Sequence, residues 1–310
     1  MKLRFRSRWV TDLLVVALTA GIVTIAGGCG TLLVPEEPDE PIYDNPIDPD
    51  SPAHVAPETD ITDGPSDGST VTSSSVTFGW RGNTGATMFQ IRVTGGAYGT
   101  DWQAWSGMFA DGWSPWTTDR SVTLNFLDEL TYTFQVRAGY PSNFIGGDPS
   151  EWDNTPESST FTVNAVTGPA LRLSPRVTPV SLNGTFDIDI VADGVTDLAM
   201  LNLRIVWNSS RIQYISEWDQ GPFLSSNGGD VLPLGTTGEE ASGVWELAIG
   251  VAGGTPPGVS GTGVIATLHF RAIATGIHTM AFVSSSTELR DPNNNPISPT
   301  GLIAATVIVP

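Results

Sequence analysis

From residue 171 to the end of the chain, apolar and polar residues alternate in short runs. Leu171 and Leu173 open the pattern, Pro175 closes that first run, and the run 303–309 ends it. Between them, 186–191, 198–206, 244–251, 264–271 and 278–283 are rich in Val, Ile, Leu or Phe and bounded by Gly, Pro, Asn or Asp. Alternation at a period of two predicts strands, and no window keeps apolar residues at helical spacing for three turns. Residues 61–166 repeat the pattern. Val71, 76–80, 88–93, 121–126, 130–138 and 159–163 are strand candidates, with Phe89, Ile91 and Val93 on one face and Tyr132, Phe134, Val136 and Ala138 on another. Many short strands separated by turn residues predict packed antiparallel sheets. The fold class is all-β, with two β-sandwiches in tandem over 61–166 and 168–310. Gly168 and Pro169 mark the boundary, and the two are expected to fold separately.

The chain ahead of residue 61 reads differently. Residues 31–60 hold seven prolines, nine acids and no Lys or Arg. Such a stretch buries too little apolar area to offset its ordering entropy, so 29–60 is expected to be an extended, disordered spacer. At about 3.1 Å per residue in polyproline II, thirty residues reach roughly 90 Å. Residues 1–28 have a basic start, an apolar core ending at Ala26, and Gly27-Gly28 before Cys29. This is the pattern of a secretory signal, and its apolar run is short for a spanning helix. Cys29 is the only cysteine, so no disulfide can form within the chain.

Charge narrows the partners. The formal net charge is −19. Lys2, Arg4, Arg6 and Arg8 face only Asp12 within 1–28, so the remainder carries ten basic and 32 acidic residues. Nucleic acid and anionic lipid are poor partners for such a body. Catalytic chemistry is sparse. His54 falls in the spacer, His269 and His278 fall in strands, and none has a neighbouring His, Asp or Glu at ligand spacing. There is no nucleophile elbow, phosphate loop or dinucleotide fingerprint. Asp187 and Asp189 alternate on one strand and read as a solvated face rather than a catalytic pair. The oxygen-rich 291–296 lacks the twelve-residue calcium-loop pattern and reads as a turn. No enzyme, cofactor or metal site is expected. Trp102, Trp105, Trp113 and Trp116 are separated by Gly and Ser, as in a loop. Their rings suit sugar stacking or a protein interface, but the stronger reading is that one or two of them join Trp80 in the sandwich core and the rest form a small apolar cluster covering a long loop.

Three resemblances add to this. The order Val180 to Gly184, Phe186 to Val191, Met200-Leu201-Asn202-Leu203-Arg204-Ile205-Val206-Trp207-Asn208, Arg211 to Tyr214, and Gly261 to Arg271 before Gly276 resembles that of cohesin domains. The resemblance implies a nine-stranded jelly-roll sandwich that binds dockerins, small calcium-loaded helical domains of other proteins. Calcium then belongs to the partner. Cohesins usually end the third element with an aromatic, an Asp and a Pro, whereas here the corner is Trp207-Asn208-Ser209. Residues 127–138 and 158–163 resemble fibronectin type III and related bacterial immunoglobulin-like modules, with Tyr132 in the place of the corner tyrosine. Ala26-Gly27-Gly28-Cys29 resembles a bacterial lipobox, which implies lipidation of Cys29 and stable anchoring by its acyl chains. Gly30 in place of Asp is similar to the outer-membrane class, so an envelope or cell-surface location is expected.

A partner face follows from alternation within the resemblance. Leu201, Leu203 and Ile205 are expected inward, which leaves Asn202 and Arg204 outward. Asn208 stands at the corner, and His269 and Arg271 alternate outward in their own strand. These five are the candidate partner-binding residues. The function expected is a non-catalytic, lipid-anchored module displaying a dockerin-binding domain, with polysaccharide-degrading enzymes as the implied bearers. A carbohydrate-binding envelope lipoprotein and a structural envelope protein are the alternatives.

Overall fold

The computed structural model describes residues 46–95, 112–142, 148–237 and 242–310. The signal segment, Cys29, Trp102 and Trp105 therefore lie outside the described residues, as does most of the predicted spacer. Among the described residues the regular elements are strands and short 3-10 turns, arranged as two sheet-rich regions in tandem.

In the first region, β1 (Thr59–Asp63), β3 (Val76–Gly82) and β5 (Ser121–Leu124) form one sheet in that order. The facing sheet runs β2 (Ser69–Val71), β8 (Glu157–Val163), β6 (Thr131–Tyr140) and β4 (Met88–Thr94), with β7 (Glu151–Trp152) beside β6. The alternating residues meet between the sheets. Phe78 of β3 stacks on Phe134 of β6 with centroids 4.0 Å apart, and Trp80, Phe89, Val136 and Phe161 complete the core. Burying each such side chain contributes about 1.5–3 kcal/mol.

Residues 46–60 are not a contact-free spacer. Ile47 packs against this core above Gly85, where a β-carbon would stand 2.6 Å from Ile47 Cδ1. Tyr140 donates its hydroxyl to the Val55 carbonyl at 2.6 Å, and Asn83 Nδ2 donates to the Ala56 carbonyl at 2.8 Å. His54 Nε2 lies 3.1 Å from Glu151. The segment's prolines lack N–H groups but keep carbonyls, and the Ile47 side chain together with these polar contacts seats it on the sandwich, while the Val55 side chain stays exposed.

The second region has one sheet in the order β13 (Ile212–Tyr214), β17 (Val259–Ala272), β11 (Thr185–Leu198), β9 (Ala170–Ser174), β21 (Gly301–Ile303), with β14 (Asp219–Gln220) also on β17. The other runs β10 (Val177–Pro179), β22 (Ala305–Val309), β18 (Gly276–Phe282), β12 (Met200–Val206), β16 (Val244–Ala252), β15 (Asp230–Thr237). Here β19 (Glu288–Arg290) pairs with β12, and β20 (Pro296–Ile297) with β19. The chain changes sheet between β9 and β10, at Pro175-Arg176, and again between β21 and β22. In each sheet the last stretch runs parallel to the first. β11 and β17 reach 14 residues each, longer than the alternating runs that predict them. Register shifts between Ile190 and Leu198 absorb the extra residues, as bulges do.

Leu201, Leu203 and Ile205 of β12 and Trp245, Leu247 and Ile249 of β16 face inward against Ile188, Ile190, Leu268 and Phe270. Trp207 meets Phe270 edge-on at 5.2 Å and donates its indole N–H to the Ile212 carbonyl at 3.0 Å. The core thus fixes β12 and β16 as central strands of the eight-stranded sheet, with their even-numbered residues on its outer face.

Candidate partner-binding face

Antiparallel pairing of β12 and β16 brings outward side chains side by side. Met200 opposes Gly250, Asn202 opposes Ala248, Arg204 opposes Glu246, and Val206 opposes Val244. Edge strand β15 adds Leu232 opposite Gly250 and Gly235 opposite Ala248, with Leu234 at the bulge between. Met200, Leu232 and Leu234 are 37%, 45% and 59% exposed. Gly250 leaves a gap among them, and a β-carbon there would sit 3.8 Å from Leu234 Cδ1. Beside this apolar end runs a groove of about 310 Å³ lined by Asn202, Arg204, Gly235, Glu246, Ala248 and Ser286. Arg204 Nη1 lies 3.4 Å from Glu246 Oε1. Glu288 and Arg290 of β19, opposite Asn202 and Met200, form a second pair at 3.0 Å. In a chain of net charge −19, this face has matched charges around an exposed apolar end. An exposed apolar patch bordered by charged pairs makes this face the candidate for an interaction surface.

The five predicted residues do not share one face. Asn202 and Arg204 lie here. His269 and Arg271 are on β17, in the opposite sheet, and point outward on the far side of the sandwich. Alternation along a strand tells inside from outside but not which sheet the strand joins, and that is why sequence grouped them. Asn208 sits in the turn after β12. Its Oδ1 accepts the Ser210 N–H at 3.0 Å and the Ser210 hydroxyl at 2.7 Å. Asn thus closes the corner by the same side-chain-to-backbone bond an Asp makes.

The far face is polar along β11 and β17. His269 Nδ1 is 2.8 Å from Asp187, its register partner, and Nε2 is 3.2 Å from Asp219 of β14. The hydrogen bond to Asp187 is the chief reason the imidazole pKa is raised. Asp189 accepts the Thr267 hydroxyl at 2.6 Å. Spacing along the chain cannot reveal this clamp, because its members come from three strands. Among the described residues no group of three or more His, Cys, Asp or Glu could hold a metal ion. Asp291 spends its carboxylate on its own loop, accepting the N–H groups of Asn293 and Asn295 at 2.9 and 2.7 Å and the Asn295 amide at 2.8 Å.

In the first sandwich, Trp113 and Trp116 lie over a sheet face rather than in the core. The Trp113 ring is 4.6 Å from the Arg92 guanidinium and 4.5 Å from that of Arg137, and Trp116 is 5.5 Å from Arg137. Gln135 and Gln90 each hold one guanidinium across the β4–β6 pairing. These two rings make cation–π contacts with the guanidiniums of β4 and β6, each contact being worth about 0.5–2 kcal/mol.

No family model matches the sequence, and no curated protein matches it. Among solved structures the chain is similar to a non-cellulosomal cohesin from the hyperthermophilic archaeon Archaeoglobus fulgidus, at 13% identity over 46% of this chain and 90% of that one, with a TM-score of 0.35. It is similar to a type II cohesin domain from the cellulosome of Acetivibrio cellulolyticus, at 15% identity over 44% of this chain and 94% of that one, with a TM-score of 0.38. It is similar too to a chain of a type I cohesin–dockerin complex from Clostridium thermocellum, at 13% identity over 46% of this chain and 99% of that one, with a TM-score of 0.37.

Proposed function

We propose that residues 168–310 are a non-catalytic, cohesin-like module that binds a calcium-loaded, dockerin-like helical domain on the outer face of the eight-stranded sheet. The observation that carries this reading is the exposed Met200, Leu232 and Leu234 around the Gly250 gap, beside the Arg204–Glu246 pair. A helix laid on the sheet would cover the apolar end and meet the paired charges. The jelly-roll count of nine is supported if β9 with β10 and β21 with β22 are each taken as one strand crossing between sheets, and the two-residue pieces and β19 are set aside. The first region is read as a fibronectin type III or immunoglobulin-like sandwich. Its support is a three-stranded sheet facing a five-stranded one, four strands once the two-residue β7 is set aside, and the 2.8 Å bond from the Asp128 N–H to the Tyr132 hydroxyl.

In this reading Cys29 carries the lipid, 29–45 serve as spacer, and the folded part stands at the outer membrane or cell surface. The partner bears a dockerin and the calcium. Stacking of sugars by Trp113 and Trp116 is not favoured, because both rings are engaged with Arg92 and Arg137. A pull-down from the secreted and surface proteome with the full chain as bait tests the proposal. Recovery of a protein with paired calcium-loop repeats, lost with chelator, is expected. Calcium-independent retention on an insoluble polysaccharide with no such protein recovered would reject it.

A further inference from the structure

A buried group of five charged side chains joins the two sandwiches. Asp128 and Glu129 come from the turn before β6 of the first. Arg172 lies on β9 of the second, Arg176 at the break between β9 and β10, and Asp193 on the bulged part of β11. The side chains of Asp128, Arg172 and Asp193 are 4%, 10% and 7% exposed. Those of Glu129 and Arg176 are 13% and 11% exposed.

Each arginine has a carboxylate of its own. Arg172 Nε donates to Asp193 Oδ2 at 2.7 Å, and Arg176 Nη2 lies 3.5 Å from Glu129 Oε1. Glu129 also accepts the Ala165 N–H at 2.7 Å. Asp128 is the third carboxylate. Its contact with Arg172 spans 3.9 Å, and its oxygens share the Arg176 backbone N–H at 3.1 and 3.0 Å. Ionised, it leaves the group one negative charge in excess and out of water, which is costly. Protonated, it leaves two guanidiniums balanced by two carboxylates.

The connecting chain is held as well. The Thr300 hydroxyl donates to the carbonyls of Thr167 and Pro169. Gly168 packs on Gly194, which has φ of +56°, and a β-carbon at Gly168 would collide with the Asp193 carbonyl. The junction is therefore a fitted contact, not a free hinge.

We propose that this cluster locks the two sandwiches in one orientation while Asp128 holds a proton, and that the lock loosens when the proton leaves. Burial pushes the Asp128 and Asp193 carboxyls above the ordinary value of 3.8, against the pull of Arg172 and Arg176 and with a smaller push from Glu129. A pKa raised on folding gives a stability contribution that is complete below the unfolded value. It falls away as pH rises through the folded one. Lower pH therefore holds the junction, and rising pH loosens it. This inference does not depend on what the second sandwich binds.

Calorimetric unfolding of the full chain from about pH 3.5, below the ordinary carboxyl value, to about pH 8 tests it. The wild type should show one cooperative transition at the acid end that splits in two toward the alkaline end. Asp128→Asn keeps an acceptor without a charge and should hold a single transition throughout, with its fold checked by circular dichroism. Two transitions already present in the wild type at acid pH would overturn the lock. A single transition at every pH would overturn its proton dependence. An Asp128→Asn variant that splits as the wild type does would overturn the assignment to Asp128. Should that variant fail to fold, the wild-type pH series still decides the first two.

Discussion

Arg204 and Glu246 oppose each other across the centre of the eight-stranded sheet, with Nη1 3.4 Å from Oε1 and the two side chains 40% and 39% exposed. A pair so exposed adds only about 0.2–1 kcal/mol to folding. In the proposed reading its place beside the apolar end gives it a role in association instead. Arg204→Ala should weaken partner binding by about 1–3 kcal/mol. The melting temperature should stay nearly unchanged. Titration calorimetry with a parallel thermal melt checks both, and a large fall in melting temperature would make Arg204 a stability residue.

The strands were largely readable, the grouping of their faces was not. Leu201, Leu203 and Ile205 declared themselves inward by alternation, and all three are buried. The same alternation put His269 outward, but only the sheet order shows that it shares a face with Asp187 and Asp219 and not with Arg204. Leu232 and Leu234 carried little signal, because Pro233 between them argues against a strand, and β15 tolerates it at the sheet edge. Ile47 was hidden by its proline-rich, acidic surroundings. Nothing in the spacing of Arg172 and Asp193 shows that they meet Asp128 across a junction.

Tyr132→Phe should cost about 1–3 kcal/mol, since the buried Asp128 N–H loses its acceptor while the ring still packs on Phe161. Chemical denaturation with an unchanged slope would show the loss as one of stability alone. A midpoint identical to the wild type would remove the tyrosine's structural role.

The His269 clamp predicts a local pH effect. Its pKa is raised above 6.5, mainly by the bond to Asp187. The contribution is complete below the unfolded value and lost as pH rises through the raised one. Amide exchange in the stretch around Asp219 should quicken across that window, and His269→Ala should make it fast and pH-insensitive once intrinsic exchange is corrected. Equal protection on both sides of the window would show that the clamp holds nothing.

Cys29→Ala should abolish metabolic lipid labelling and move the protein out of the detergent phase in a phase-separation assay. Labelling that persists would show that the anchor is elsewhere.

The most direct measurement is a titration of the full chain with a calcium-loaded dockerin module recovered by the pull-down, run beside Leu234→Glu and Arg271→Ala. A charge placed at the apolar end of the eight-stranded face should weaken binding by about tenfold or more, which is about 1.4 kcal/mol. Arg271→Ala, on the opposite sheet, should leave affinity as it was, and chelation of calcium should abolish binding in all three. Loss of affinity in Arg271→Ala with none in Leu234→Glu would put the partner on the other side of the sandwich and contradict the assignment of the face.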